Sequence, residues 1–290
     1  MMRRRDLLLL AAAGGHRAVR LQASNYGMQM LPVDRALSLI REIGYDGAEL
    51  CLMAGWPSEP VKLDPAARRR IRMSGFPIPT LIENFNTLVT DAEHAHTLDR
   101  IRAAAVLAHD IAPKDPPILQ SVLGGKPDEW ERVKEKMAAR LADWARVASG
   151  SRIRLAVKSH IGSASNTPEK LLWLLNQVKS PALSAIYDFS HFQLLGLDLK
   201  TTIDTLLPSS SFITVKDGRM ANGSPQFLLP GDGAIDYRHY FSILAAKRYQ
   251  GWMLVEISRQ LQTQPGYDPA MALRKSYAAL AVPLAEAGLR

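Results

Sequence analysis

Short apolar runs alternate with longer segments of helical periodicity from residue 17 to the end of the chain. The apolar runs are rich in Val, Ile and Leu, which is typical of buried strands. They predict eight strands, at residues 19–23, 47–52, 79–82, 118–122, 153–157, 184–187, 212–215 and 252–257. Apolar positions three or four residues apart predict eight helices, at residues 33–43, 64–74, 91–109, 127–149, 168–178, 199–207, 236–247 and 269–287.

Local signals at the helix starts support this assignment. Asp64, Thr167 and Asp268 each precede a proline, which places a capping side chain before the first helical residue. Thr90 and Glu93 have the spacing of a capping box. Eight strand–helix units without a linker between them predict one α/β domain over residues 17–290, a single closed (β/α)8 TIM barrel. A doubly wound open sheet is the alternative, but it usually has a Gly-rich first turn.

Composition narrows the class of protein. The chain has 290 residues, 47% of them hydrophobic, which excludes a disordered chain, and no apolar run is long enough for a membrane span. The basic cluster 68–72 has no interleaved aromatic residues, so the net charge of +8 does not predict a nucleic-acid partner. Arg3, Arg4 and Arg5 precede a short apolar stretch, so residues 1–16 resemble a twin-arginine export signal and predict a periplasmic protein. A chance basic start on a cytoplasmic protein is the alternative.

Polar and ionisable residues follow the predicted strands at the point where each strand ends. In a parallel barrel these ends meet at one mouth, where the loops carry function. Charged groups gathered there are costly to bury unless they are paired or bind a ligand, and they favour a small polar ligand. The residues are Glu49, Glu83, Asn84, Gln120, Lys158, His160, Asp188, His191, Thr214, Lys216, Asp217 and Glu256.

Several short motifs occur in the order and spacing of a known family. The chain resembles the sugar phosphate isomerase/epimerase family, the xylose isomerase-like barrels, from residue 17 to about residue 280. The motifs are EIGYDGAEL at 42–50, NTPE at 166–169, YDFSH at 187–191, VKDG at 215–218, LPGxG at 229–233 and YxGWxxxVE at 249–256.

The resemblance implies metal-assisted proton transfer on a carbohydrate. Family members usually hold one divalent ion with a Glu after strand five, an Asp after strand six, a His after strand seven and a Glu after strand eight. Asp188 and Glu256 match two of these positions, and His191 matches a histidine that contacts substrate. Lys158 stands in place of the first Glu, and Thr214 stands in place of the His.

The two replacements leave two interpretations of the cation. In the first, the ammonium of Lys158 lies between Asp188 and Glu256 and replaces the ion. In the second, a divalent metal persists with altered ligands, and oxygen-rich ligands favour Mn²⁺ or Mg²⁺ over Zn²⁺. Those ligands would come from Glu83, His160, Asp188, His191 and Glu256.

Proton transfer also needs acid/base groups beside the substrate. Glu256 is predicted as one of them, and the other is Lys158 with a lowered pKa, His160 or Glu83. The predicted catalytic residues are therefore Glu256, Lys158 and His160. The predicted substrate contacts are His191, Glu49, Glu83, Gln120 and Lys216.

The leading hypothesis is an isomerase or epimerase that acts on a sugar, sugar acid or cyclitol by removing a proton next to a carbonyl. The alternatives are a lyase or hydrolase on an oxidised sugar, and a sugar-binding barrel without activity. An abasic-site DNA endonuclease, from a related branch, needs a multi-zinc cluster that seven histidines do not plainly supply. The glycines at 124–125 and at 231 and 233 are consistent with phosphate-binding loops or with turns.

Overall fold

The computed structural model describes residues 18–290, so the predicted export segment 1–16 lies outside the described residues. Eight parallel strands form a closed barrel, as predicted, and two further strands form a separate antiparallel hairpin. The barrel strands are β1 (Val19–Ser24), β2 (Gly47–Cys51), β3 (Thr80–Ile82), β4 (Ile118–Ser121), β5 (Leu155–Lys158), β6 (Leu183–Tyr187) and β7 (Ser210–Val215), and the hairpin is β8 (Asp217–Ala221) and β9 (Ser224–Leu228). The eighth barrel strand is β10 (Gly251–Val255).

The barrel closes between its first and last strands. β1 pairs with β10 from Val19 opposite Gly251 to Ala23 opposite Val255, and β10 pairs with β7 on its other side. The remaining strands pair with their neighbours in sequence, from β1 to β7. This is the ring order of a (β/α)8 barrel.

Helices cover the outside of the ring. They are α1 (Val33–Ile43), α2 (Pro65–Met73), α3 (Asp91–Ile111), α4 (Trp130–Gly150), α5 (Pro168–Val178), α6 (Phe189–Leu194), α7 (Leu199–Leu206), α8 (Tyr237–Ala246), α9 (Arg259–Gln262) and α10 (Pro269–Glu286). The predicted caps are confirmed: the side chains of Asp64, Thr167 and Asp268 accept backbone N–H groups of α2, α5 and α10. Thr90 and Glu93 form both halves of a capping box. None of the helices within residues 18–290 has the length and apolar character needed to cross a bilayer.

The strand pattern places polar groups directly above an apolar cluster. Alternate residues of a strand share a face, so each residue points the same way as the one two positions later. Ile118, Ala156, Ile186, Phe212 and Leu254 form a buried cluster of their own. The residues two positions later are Gln120, Lys158, Asp188, Thr214 and Glu256. The same period that fills the barrel therefore carries the candidate functional residues to its carboxyl end.

The hairpin β8–β9 and the short helices α6 and α9 are not among the predicted elements. Arg219 and Met220 of the hairpin are exposed, and several of its other positions are only partly buried, so the sequence has no apolar run there. Its five residue pairs run from Asp217 opposite Leu228 to Ala221 opposite Ser224. Only Asp217, Gly218 and Phe227 are buried in these strands, and they form no apolar run, which is why the hydrophobic pattern misses the hairpin.

Candidate active site

Four charged side chains meet at the carboxyl end of the barrel and form what we call the ion cluster: Lys158, Asp188, Lys216 and Glu256. The Lys158 ammonium lies 2.7 Å from Oε2 of Glu256 and 3.3 Å from Oδ2 of Asp188. The Lys216 ammonium lies 2.6 Å from Oδ2 of Asp188 and 3.1 Å from Oε1 of Glu256. Each ammonium therefore contacts both carboxylates, and the two positive and two negative charges balance.

Burial makes these ion pairs strong, because little water is present to screen them. The side chains of Lys158 and Lys216 are 5% and 2% exposed. Burial opposes ionisation of Glu256, but Lys158 and Lys216 lower its pKa to about 2. Burial also opposes the charge on Lys158, but Glu256 and Asp188 raise its pKa above the ordinary value. The prediction of Lys158 as a base with a lowered pKa is therefore wrong, because two carboxylates hold its proton.

Asp188 is fixed from several sides. Its Oδ1 accepts the backbone N–H of Ser190 at 3.2 Å and the Ser190 hydroxyl at 2.6 Å, so it also caps α6. Burial raises its pKa, but Lys216 and Lys158 act more strongly together and the pKa is lowered. Nε2 of His191 lies 3.5 Å from Oδ2 of Asp188. Asp188 therefore remains ionised and positions both ammonium groups.

Two histidines beside the ion cluster are held in one tautomer. The backbone N–H of Gly162 donates to Nδ1 of His160 at 3.1 Å, and that of Ile161 donates to Nδ1 of His191 at 3.3 Å. Burial and the neighbouring lysines lower the pKa of His160 to about 4 and that of His191 well below its usual value. A neutral ring that accepts at Nδ1 carries its proton on Nε2. Both imidazoles are therefore hydrogen-bond donors at Nε2.

A cavity of about 230 Å³ opens beside the ion cluster. Glu83, Gln120, Lys158, His160 and Glu256, all predicted site residues, lie in its wall. The other wall residues are Tyr26, Met53, Ile82, Asn84, Ser121, Val122 and Ser163.

Three predicted substrate contacts lie behind the wall. Glu49, His191 and Lys216 are buried and do not line this cavity. Each touches a group that positions the wall: Gln120 donates a hydrogen bond to Glu49, and Lys216 and His191 lie against Asp188. In this structure they support the wall instead of forming it.

The side of the mouth near β2 to β4 has different electrostatics. Burial raises the pKa of Glu49 to about 7 despite hydrogen bonds from Ser24 and Gln120. Burial also raises the pKa of Glu83, although Arg100 lowers it. Nε of Arg100 donates to Oε1 of Glu83 at 3.0 Å, and Nη2 also contacts this oxygen. Sequence reasoning missed Arg100, because an arginine in the middle of α3 carries no motif.

A sequence model described as the xylose isomerase-like TIM barrel family matches residues 37–279. The chain belongs to this family. The inosose dehydratase of Bacillus thuringiensis (strain Al Hakam) is 26% identical over 168 residues, which are 52% of this chain and 52% of that protein. The inosose dehydratase of Lacticaseibacillus casei is 26% identical over 178 residues, 55% of this chain and 56% of that protein. The chain thus spans about half the length of the curated relatives it matches.

Solved structures of two other proteins share the fold. The 3-keto-D-glucoside 4-epimerase from E. coli superposes with a TM-score of 0.71 at 16% identity, covering 91% of this chain and 99% of that one. The IolI protein, crystallised with a bound zinc atom, superposes with a TM-score of 0.73 at 15% identity, covering 92% and 98%. At these identities the likeness shows the fold alone.

The ligand set of a family-type metal site does not fit this xylose isomerase-like barrel. Asp188 and Glu256 lie together as predicted, but the ammonium groups of Lys158 and Lys216 contact both of them. Thr214 offers a hydroxyl in place of an imidazole. Within residues 18–290, no three His, Cys, Asp or Glu side chains gather in a way that could hold an ion. The described side chains therefore do not fit the predicted Mn²⁺ or Mg²⁺ site.

Proposed function

We propose that this chain is an enzyme that removes a proton next to the carbonyl of a small keto-sugar or keto-cyclitol, with the ammonium of Lys158 stabilising the enolate. The observation that carries the proposal is the position of Lys158. It lines the cavity and gives hydrogen-bond contacts to Glu256 and Asp188. An ammonium has three N–H donors, so a third is left for a substrate oxygen.

Glu83 is the base in this proposal. It lines the same cavity, and its raised pKa makes it a stronger base than an ordinary carboxylate. Glu256 is unsuited to this role, because an ammonium contacts each of its oxygens and its pKa is about 2. One glutamate is thus available for proton transfer, and the other holds the lysines.

His160 is an electrophile in this proposal and not the predicted base. Its Nε2–H donates to the same carbonyl oxygen as Lys158, and a neutral imidazole does so without a second buried positive charge. A carboxylate base, an ammonium and a neutral imidazole together supply what enolate formation needs.

Loss of water is the outcome that we favour. Glu83 takes the proton from the carbon next to the carbonyl, and the hydroxyl on the following carbon leaves as water with that proton. A carbon–carbon double bond forms next to the carbonyl, so atoms and charge balance. The curated relatives named above are dehydratases, which supports this outcome.

Isomerisation is the second candidate, because Glu83 can return the same proton to a neighbouring carbon. Epimerisation by two glutamates on opposite faces has less support, since Glu256 is engaged by two lysines.

Hydrogen exchange tests the shared step apart from the outcome. A panel of inososes, ketohexoses and ketopentoses is incubated with the protein in D₂O, and mass spectrometry follows both deuterium uptake and loss of water. We expect at least one ketone to exchange, and Glu83→Gln to slow exchange by about 10²–10⁴-fold.

Asp110→Asn is the matched control. It removes one carboxylate that pairs with Arg68 on the surface, and it should leave exchange unchanged. Binding of ketones across the panel with neither exchange nor product would favour the sugar-binding barrel without activity.

A further inference from the structure

We infer that the substrate of this cavity is an uncharged polyol ketone that carries neither a phosphate nor a carboxylate group. The inference rests on the proposed function, because it takes the cavity lined by Glu83 and Lys158 as the substrate site. Three independent observations support it: the pairing of the cations, the use of the backbone N–H groups, and the packing of the glycine loops.

The ammonium in the cavity wall and the guanidinium of Arg100 behind it are already matched by carboxylates. Lys158 contacts Glu256 and Asp188, and Arg100 behind the wall contacts Glu83. Two of these carboxylates, Glu83 and Glu256, line the cavity themselves. An anionic ligand would approach these two negative charges. The one ammonium in the wall is already neutralised, so no free cation would offset the cost of removing water from the ligand's charge.

Three consecutive backbone N–H groups of the loop after β5 are also engaged. Those of Ile161 and Gly162 donate to the two histidines, and that of Ser163 donates to the carbonyl oxygen of His160 at 2.8 Å. Phosphate-binding loops work by pointing unpaired N–H groups at the anion. In this loop, two of the named N–H groups fix imidazoles and the third closes the turn.

The two candidate phosphate loops are filled by the protein itself. The carboxylate of Asp217 accepts N–H groups from Gly218 at 2.9 Å and from Gly231 and Ile235 at 3.2 Å each. A Cβ on Gly233 would lie 2.1 Å from Oδ1 of Asp217, so this glycine makes room for the carboxylate. An internal carboxylate thus occupies the cradle that an anion would need.

The loop at 124–125 is closed by packing. A Cβ on Gly124 would lie 2.2 Å from Oδ1 of Asn86, and a Cβ on Gly125 would lie 2.9 Å from the Cβ of Ala164. Both residues also have positive φ, at 81° and 74°, which glycine adopts without strain. These glycines permit a turn and a close approach of the neighbouring loops.

What remains in the wall suits hydroxyl groups. Asn84, Gln120 and Ser163 offer neutral donors and acceptors. Tyr26 adds a flat aromatic wall, held by stacking on Trp56 with ring centroids 5.5 Å apart. The volume is below the roughly 300–1,000 Å³ of sites for drug-sized ligands, so it suits a single ring-sized molecule.

Matched pairs of ligands test the inference. Isothermal titration calorimetry compares D-fructose with D-fructose 6-phosphate, D-ribulose with D-ribulose 5-phosphate, and D-xylulose with D-xylulose 5-phosphate. We expect at least one neutral member to bind at least tenfold more tightly than its phosphate ester, and inorganic phosphate not to compete with it. Glu83→Gln, which removes the carboxylate opposite Arg100, should reduce this preference at least tenfold, whereas Asp110→Asn should retain it.

The inference is overturned if a phosphate ester binds as tightly as its neutral partner, if inorganic phosphate competes, or if no neutral member binds. Its failure is distinct from failure of the proposed function. Exchange of a phosphorylated ketone in D₂O would keep the proposed chemistry and overturn the substrate class. Tight binding of a neutral ketone without exchange would do the reverse.

Discussion

Two glutamates at the barrel mouth, carried by the two strands that flank β1, differ in pKa although neither is more than 12% exposed. Near β10, two lysines lower the pKa of Glu256 to about 2, whereas near β2 burial raises the pKa of Glu49 to about 7. Burial is the largest single influence in both cases and acts in the same direction. The nearby cations decide the outcome, so one side of the mouth keeps fixed charge and the other can exchange protons.

Removing the ammonium of Lys158 should have the largest effect on the charged part of the mouth, where Glu256 lies. Lys158→Met takes away the proposed donor to the enolate and leaves Glu256 with Lys216 alone. We expect the rate of deuterium exchange to fall by about 10²–10³-fold, the usual effect of losing one oxyanion donor.

Lys200→Met is the matched control, because Lys200 pairs with Asp204 on the surface. Circular dichroism and the melting temperature show whether each variant is folded. Exchange at the wild-type rate in folded Lys158→Met would contradict the role of Lys158.

Glu49 should make the protein less stable as pH rises. Its pKa is about 7 in the folded protein and 4.5 ordinarily, so between these values the folded state binds the additional proton. Stability therefore falls as pH rises from about 4.5 to about 7, by up to about 3 kcal/mol. Glu49→Gln should remove this slope, measured as the free energy of unfolding in urea at pH 5 and pH 8.

Glu256 provides the opposite case for comparison. Its lowered pKa contributes stability that is present above about pH 4.5 and is lost as pH falls towards about 2. Glu256→Gln should therefore lose part of the stability gained between those values.

The prediction for Glu49 fails if the free energies of unfolding of the wild-type protein and of Glu49→Gln differ by the same amount at pH 5 and at pH 8. Glu49 would then titrate normally.

Lys158→Glu should convert the ion cluster towards a metal site. Three carboxylates, those of Glu256, Asp188 and the new residue, would then face one another beside Lys216. We expect this variant to be destabilised without metal and to gain about 2.7 kcal/mol when Mn²⁺ is present at 100 times its Kd.

The readout is the melting temperature as a function of Mn²⁺ concentration, with wild-type protein as the comparison. Adding Asp188→Asn to the variant should remove most of the gain. An equal response of the wild-type protein would show that the native side chains already bind the ion.

Replacing His160 should slow deuterium exchange less than replacing Lys158 does. His160→Ala removes one neutral donor, and we expect about a tenfold loss in exchange rate. His160→Gln should retain most of the activity, because a side-chain amide also donates a hydrogen bond. If His160 were instead the base, both variants would lose activity equally and the pH profile would lose an inflection near pH 4.

The barrel was predictable because its signals are local. An apolar run predicts each strand, and two or three neighbouring residues, such as Asp64 and Pro65, predict each helix cap. The residues of the mouth were predictable for the same reason, since the strand period carries them two positions beyond the apolar cluster. The hairpin β8–β9 lacks such a run and was missed.

Partnership across the mouth was predicted only in part: one of the two interpretations placed the Lys158 ammonium between Asp188 and Glu256, where the structure has it. Lys158 and Glu256 are 98 residues apart, and Lys216 and Asp188 are 28 residues apart. Sequence alone did not show that Lys216 also joins both carboxylates, and this second ammonium is part of what makes Glu256 a poor base. The alternative in which Lys158 is a base with a lowered pKa has the wrong sign, because Glu256 and Asp188 together outweigh the effect of burial.

Closure of the ring also completes the charge balance of the mouth. β10 joins β1 to β7, and the residue that follows it is Glu256. Without Glu256 the two ammonium groups of the ion cluster would share Asp188 alone, and an uncompensated buried charge costs several kcal/mol. One strand thus closes the backbone ladder and supplies the second counter-charge, so the architecture of the barrel and the electrostatics of its mouth depend on the same element.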